Sequence, residues 1–155
     1  MNRKALFITV AAVLAALFAG AAALYQNQQA EAAARAAAKN KESLVRFHSP
    51  SLGKADARVH IVEFLDPACE TCAAFYPFVK KLMAEHPDAI RLSVRYAPFH
   101  QGSDEVVKAL EAARKQGKYW EALEALFADQ SRWTQNHRAR ADLAWPLLAG
   151  VGVDT

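Results

Sequence analysis

Hydrophobic and polar positions divide the chain into three parts. The stretch Ala5–Tyr25 is apolar throughout and carries no charge. At a rise of about 1.5 Å per residue it forms a helix of about 30 Å, which is long enough to cross the core of a bilayer. Residues 26–43 are polar and rich in alanine, so they favour helix without a large apolar stripe. The pattern predicts a membrane helix over 1–25, a helical linker over 26–43 and a globular domain over 44–155.

Two interpretations of the N-terminal stretch remain open. Arg3 and Lys4 stand directly before it, as in the charged region of an export signal. The apolar region of a signal peptide has about 7–15 residues, and this one is longer, which favours an uncleaved anchor in the inner membrane. Charges adjoin the span on its N-terminal side only, so we expect the domain on the periplasmic, extracytoplasmic side. Cleavage near residues 20–23 would instead give a soluble periplasmic protein.

Two segments of the domain have patterns typical of core strands. Val59–Leu65 is mostly apolar on both faces, which predicts a central strand covered by helices on both sides. Ile90–Tyr96 alternates and predicts a second core strand. We expect a short edge strand over 44–47 and a loop over 49–53. Such a sheet is thin, because sheets with a helical layer usually have about four or more strands.

The rest of the domain has helical patterns. After Cys69 the apolar positions recur with a period of about 3.6, and Pro77 is expected to kink this helix. Ser103 is predicted to cap the next helix and Gly117 to end it. A last helical segment is expected over 136–148, so everything from Ser103 onward is predicted helical, and the whole is an α/β pattern. The apolar face of the first helix comprises Cys72, Phe75, Val79, Leu82 and Met83.

Charge and histidine spacing argue against two classes of function. The net charge of +3 and the pI near 9.0 are mild, and basic residues are interleaved with acidic ones. We interpret this as a solvated surface and expect no nucleic-acid partner. The histidines do not repeat a finger-like spacing, so we expect no metal and assign them to strand, cap or surface positions. They are His48, His60, His86, His100 and His137.

The two cysteines are the most informative residues of the domain. Cys69 and Cys72 are the only ones in the chain, and they follow the strand-like run and the turn signal Asp66-Pro67. We therefore expect the first sulfur at a helix N-terminus, where backbone N–H groups and the helix dipole favour a thiolate. A structural disulfide would close a very small loop with little entropic benefit. Half of a zinc site would need two more ligands. A redox-active dithiol is the interpretation that we favour.

The segment from Val62 to Cys72 resembles the DsbA-like branch of the thioredoxin-fold disulfide oxidoreductases. Those proteins have the pattern Glu-Phe-x-(Asp/Ser)-x-x-Cys-x-x-Cys at the end of the central strand. The proline eight residues after Cys69 is also similar to that of the thioredoxin active-site helix. The resemblance implies a thioredoxin-like fold with a helical insertion. Members continue with a cis-proline loop, two strands and a helix, whereas Pro146 here lies in a helical setting, so we expect these final elements to be missing by truncation.

The resemblance also implies roles for five residues. Cys69 would be the exposed nucleophile and Cys72 the buried resolving thiol. Glu63 would be a buried carboxylate with a raised pKa that takes or returns the proton of Cys72, unless its side chain simply reaches solvent. Glu70 and Thr71, between the sulfurs, would tune the pair. Because a carboxylate beside Cys69 opposes a thiolate, we expect a milder oxidant than members with a potential near about −120 mV.

The implied activity is thiol–disulfide exchange with cysteine-containing exported proteins. It needs no metal or organic cofactor beyond the redox-active disulfide Cys69–Cys72. A thiol–disulfide protein of the membrane or periplasm would recharge the pair, and the N-terminal helix would bind the membrane. The alternatives are a disulfide reductase or isomerase with the same site, a non-catalytic peptide-binding holdase, and an inactive truncated anchor protein.

Overall fold

A computed structural model describes residues 2–44 and 46–155, which fall into two compact units, Met1–Arg46 and Phe47–Thr155. The first unit is one continuous helix, α1 (Arg3–Leu44), so the alanine-rich segment continues the apolar one. By length and composition, α1 is long and apolar enough to cross a membrane, although a signal sequence passes the same test. Its large apolar side chains, such as Leu14 and Phe18, are exposed within the protein. A bilayer is an environment that would cover them.

The second unit is built on a mixed sheet of three strands. They are β1 (Ser51–Leu52), β2 (Val59–Leu65) and β3 (Ile90–Tyr96), in the order β1-β3-β2. β2 and β3 are parallel, and helix α2 (Glu70–Glu85) connects them. β1 pairs antiparallel with β3. Both predicted core strands are confirmed with the predicted bounds.

The predicted edge strand over 44–47 is wrong. Leu44 ends α1, Val45 lies outside the described residues, and Phe47 is in a turn. The edge strand instead occupies part of the segment 49–53 that was predicted to be a loop. The Ser51 and Ser93 hydroxyl groups are hydrogen-bonded across the strand pair at 2.6 Å. Pairing with β3 therefore decides the position of β1, where local propensity does not.

β2 is not the central strand of the described sheet. It lies at one edge, and β3 lies between β1 and β2. The two faces of β2 also differ. Phe64 is 54% exposed on one face, where the Arg95 guanidinium stands 5.5 Å from its ring centroid. On the other face, alternation places Glu63 with Ile61 and Leu65, which pack in the core. One face of β2 is thus partly exposed, and the carboxylate lies on the other face, with the core residues.

Four helices and a short hairpin complete the unit. Trp133 is fully buried in the core and donates its indole N–H to the Leu126 carbonyl oxygen at 2.9 Å. After the last helix, the described residues contain no further strand or helix. The elements are α3 (Ser103–Lys115), α4 (Tyr119–Ala128), α5 (Gln130–Trp133), β4 (Thr134–Gln135), β5 (Arg138–Ala139) and α6 (Ala141–Gly150).

Three details of the helical region differ from the predictions. The first part of the predicted helix over 136–148 is the turn and second strand of the β4–β5 hairpin, so the region after Ser103 is not wholly helical. Ser103 begins α3 without capping it, because its hydroxyl group is hydrogen-bonded to Asp66. On α2, Phe75 is 53% exposed and Tyr76 takes the buried position. Gly117 has the left-handed conformation expected just after a helix end, at φ 72°.

Candidate functional site

The N-terminus of α2 holds the first cysteine. Cys69 is the N-cap residue, with extended backbone angles, and its sulfur accepts a hydrogen bond from the Cys72 backbone N–H at 3.4 Å. The Cys69 backbone N–H in turn donates to the Asp66 carbonyl oxygen at 3.1 Å, which holds the turn. A sulfur at this point faces unpaired N–H groups and the positive end of the helix dipole. The Cys69 sulfur therefore lies at the N-terminal end of α2, where a backbone N–H contacts it.

The second cysteine lies one turn further along α2 and packs against the hydrophobic core. The pKa of the Cys72 thiol is raised to about 11, mainly by burial and in smaller part by the Cys69 sulfur and the charge of Glu63, while the Asp66 backbone N–H opposes the shift. Cys72 is therefore a protonated thiol at neutral pH. Both cysteines are partly exposed.

Glu63 stands beneath α2 on the covered face of β2. Burial raises the pKa of its carboxyl group. Its Oε2 atom is buried and has no hydrogen-bond partner among the described residues. The charge of Glu63 contributes to the raised pKa of the Cys72 thiol and of the Tyr76 and Tyr119 hydroxyl groups. This arrangement favours the buried carboxylate over a strand residue whose side chain reaches solvent.

Asp66 holds the turn before the cysteines, a role that the sequence analysis missed. Its side chain is buried and accepts hydrogen bonds from the backbone N–H groups of Ala68 at 2.9 Å, Phe99 at 2.7 Å and His100 at 2.9 Å. The Ser103 hydroxyl group and the His100 ring at 2.7 Å add two more. Burial disfavours the carboxylate, but these bonds outweigh it and lower the pKa of Asp66. The position of Asp66 directly after a core strand is the sequence feature that could have indicated this role.

Glu70 and Thr71, the residues between the cysteines, are exposed in the first turn of α2. A hydrogen bond from its own backbone N–H lowers the pKa of Glu70, and His137 lowers it further. The Glu70 Oε2 atom is 3.4 Å from His137 Nδ1. His137 also stacks on His100, with 5.8 Å between the ring centroids. Two histidines that were assigned no function therefore lie next to the redox turn.

A shallow apolar groove runs beside the same helix. It has a volume of about 410 Å³. On another face of α2, the exposed rings of Phe75 and Phe78 contact each other, with 5.4 Å between centroids. The groove joins α2 to α4 and is open to solvent. Its lining residues are Ala73, Tyr76, Pro77, Lys80, Glu124, Phe127 and Ala128.

A parallel strand pair joined by a helix, with two cysteines in the turn that starts the helix, defines a thioredoxin-fold protein. A family model described as Thioredoxin matches residues 46–149, more than half of the chain. The chain therefore belongs to the thioredoxin family, in which it is DsbA-like. The fold class that the sequence analysis expected is confirmed.

Solved structures agree with this membership. A thioredoxin-like oxidoreductase from Silicibacter pomeroyi is 30% identical, with a TM-score of 0.60 over 70% of this chain and 60% of that one. The thiol-disulfide exchange protein alpha-DsbA2 from Wolbachia pipientis shares the fold at 21% identity, with a TM-score of 0.62 over 76% and 61% of the two chains. A Na(+)/H(+) antiporter NhaA of Herminiimonas arsenicoxydans is 33% identical over 85 residues, 55% of this chain and 14% of that protein. The chain thus spans less than two thirds of the length of each of these proteins.

Proposed function

We propose that the protein is a membrane-tethered thiol–disulfide oxidoreductase that acts through Cys69 and Cys72. The observation that carries the proposal is the pairing of unlike sulfurs. One lies at the N-cap of α2 and accepts a backbone N–H, and the other is a thiol packed on the core with a pKa of about 11. Such a pair separates a nucleophile from a proton-bearing partner.

In the oxidising direction, a thiolate of an exported substrate attacks the Cys69 sulfur of the Cys69–Cys72 disulfide. The S–S bond breaks, Cys72 leaves with the electron pair, and it takes a proton from the Glu63 carboxyl group. A second substrate thiolate then attacks the substrate sulfur of the mixed disulfide, and Cys69 leaves as a thiolate that the helix terminus stabilises. The substrate gains a disulfide and the enzyme becomes a dithiol.

In the reducing or isomerising direction, the same atoms act in reverse. Cys69 attacks a substrate disulfide, Glu63 takes the proton of Cys72, and Cys72 then displaces the substrate from Cys69. Turnover in either direction needs a thiol–disulfide protein of the membrane or periplasm that restores the pair. The helix α1 supports tethering, with the domain on the extracytoplasmic side, where exported substrates and an oxidising compartment occur.

The charge of Glu70 argues for a mild oxidant. Its lowered pKa keeps it ionised next to Cys69, and a negative charge there opposes the thiolate of the reduced form. We expect a reduction potential below the value of about −120 mV of the most oxidising relatives. Equilibration with glutathione measures it, and a potential near that value would contradict this role of Glu70.

Insulin reduction and oxidative refolding of a reduced substrate test the proposed activity. The full chain in detergent is expected to be active in at least one of them. Cys69→Ser should abolish turnover, whereas Cys72→Ser should accumulate a mixed disulfide with the substrate. Ser131→Ala, an exposed substitution on α5, is the matched control. Activity that survives Cys69→Ser would overturn the proposal.

A second candidate function is peptide binding without turnover. The groove between α2 and α4 and, separately, the exposed pair Phe75 and Phe78 favour it, because exposed apolar surface of this kind marks interaction sites. A holdase should suppress aggregation of an unfolded protein equally well when Cys69 and Cys72 are both serine. Loss of suppression in Phe75→Ser with normal redox activity would assign peptide binding to the Phe75–Phe78 pair.

A further inference from the structure

Outside the two sulfurs, the described part of the chain brings one set of metal-type ligands together. A donor atom from each of Glu70, His100 and His137 lies within 4.8 Å of the other two. These residues come from the first turn of α2, the loop after β3 and the β4–β5 turn, so the fold and not a local sequence motif assembles them. Neither cysteine belongs to the group.

The first supporting feature is the orientation of His100. Its Nδ1 atom lies 2.7 Å from the Asp66 Oδ2 atom, which already accepts two backbone N–H groups. A carboxylate oxygen in this position accepts a further N–H, so the Nδ1 atom of the ring is held toward Asp66 and Nε2 is the nitrogen left to bind a metal ion. A carboxylate that holds one imidazole nitrogen and leaves the other free is the usual second-shell arrangement of histidine metal ligands.

The second feature is the conformation of the hairpin turn. Asn136 and His137 both have positive φ angles, 50° and 58°. Two-residue hairpin turns favour Asn-Gly or Asp-Gly, and histidine is an unfavourable choice for the second position. The turn is nevertheless held firmly, because the Ala139 backbone N–H donates to the Gln101 carbonyl oxygen at 2.8 Å, next to His100 in the chain. The fold thus keeps His137 beside His100 at a conformational cost.

From this geometry we propose that Glu70, His100 and His137 bind a divalent transition-metal ion of the zinc type. Two imidazoles and one carboxylate form a ligand set of three that leaves a further position for water or another ligand. Zinc–ligand distances of about 2.0–2.2 Å require donor atoms roughly 3.4 Å apart. The side chains of His137 and Glu70 are 75% and 55% exposed, so small rotations bring their atoms to that spacing. The proposal departs from the sequence-based expectation of no metal, which considered only the spacing of histidines along the chain.

The proposed metal site shares Glu70 with the redox turn, so its test uses protein without thiols, in which metal binding is measured apart from thiol–disulfide exchange. In the full chain carrying Cys69→Ser and Cys72→Ser, titration with zinc sulfate by calorimetry should saturate at one ion per chain. Cobalt(II), as a spectroscopic probe, should show the visible absorption of a histidine-bound ion. His137→Asn keeps a residue that tolerates the left-handed turn and should weaken zinc binding by about tenfold or more.

The control is His86→Ala, at an exposed histidine after α2, which should leave the affinity unchanged. Glu70→Gln, on the exposed first turn, is the second ligand variant and should also weaken binding by about tenfold. Circular dichroism spectra that match the parent confirm that both ligand variants fold. Absence of saturable binding in the parent, or equal affinity in the parent and both ligand variants, would overturn the site.

Discussion

Glu63→Gln tests whether the buried carboxylate moves the proton of the resolving cysteine. With a pKa of about 11, Cys72 is a thiolate in only about one molecule in 10,000 at pH 7, because each pKa unit is a factor of ten. Resolution of a mixed disulfide therefore depends on a base that removes the proton as the sulfur attacks. General bases of this kind contribute about 100-fold to 10,000-fold. Glutamine keeps the shape of the side chain and removes the base.

The rate reduction expected for Glu63→Gln applies only to the step in which Cys72 attacks. Ellman's reagent reacts with the reduced protein in two phases, and each releases one coloured thiolate. In the first, Cys69 attacks the reagent; in the second, Cys72 attacks Cys69 of the mixed disulfide. By stopped flow at pH 7, Glu63→Gln should leave the first phase unchanged and slow the second by about 100-fold or more. Glu121→Gln, at an exposed glutamate of α4, is the control and should alter neither phase.

If Glu63 acted only through its charge, the substitution would speed the second phase instead of slowing it. Its negative charge raises the pKa of Cys72, so removing that charge alone would increase the thiolate fraction and speed the second phase. An unchanged or faster second phase would therefore refute the proton-transfer role. The pH dependence of the second-phase rate is an independent test. In the parent this rate should level off above the raised pKa of Glu63, whereas in the variant it should keep rising in proportion to the hydroxide concentration.

Three further predictions follow from the same region. At pH 7, iodoacetamide should label Cys69 much faster than Cys72, as peptide mass spectrometry can measure; equal rates would contradict the assignment of unlike sulfurs. Asp66→Asn should lower the free energy of unfolding by about 3 kcal/mol at pH 7, because an amide cannot accept all of the hydrogen bonds that end on this carboxylate. Since folding lowers the pKa of Asp66, this stabilisation is present above its unfolded value of about 3.9 and disappears as the pH falls through the folded value. Parent and variant should thus converge in acid melts. Gly102→Ala should destabilise the domain by about 1–3 kcal/mol in urea unfolding, because φ is +80° and an added Cβ would lie 2.6 Å from the Ala139 carbonyl oxygen; an unchanged midpoint would refute the close approach.

The sequence predicted those parts of the site that depend on neighbours along the chain. A strand pattern, a turn signal and two cysteines in one segment placed Cys69 at the start of a helix, and α2 begins directly after it. The bounds of β2 and β3 could also be predicted from the sequence, because a short apolar or alternating run between turn signals is typical of a strand. The apolar N-terminal helix followed from composition alone.

The parts that sequence patterns missed depend on contacts between distant segments. Asp66 receives hydrogen bonds from residues more than 30 positions away. His100 and His137 meet only because the β4–β5 hairpin is hydrogen-bonded to the loop after β3. That hairpin has no Gly or Pro in its turn, so the usual signal was absent and a helix was predicted. β1 was missed because a strand of two residues has too little pattern to detect.

Anchoring by Asp66 separates the part of this protein that must stay constant from the part that can vary. The carboxylate ties the turn to the loop after β3 and to the start of α3 without using Glu70 or Thr71. Because those two side chains project into solvent, exchanging them should leave the scaffold intact. Libraries confined to this dipeptide can therefore yield variants of graded oxidising strength on one unaltered framework.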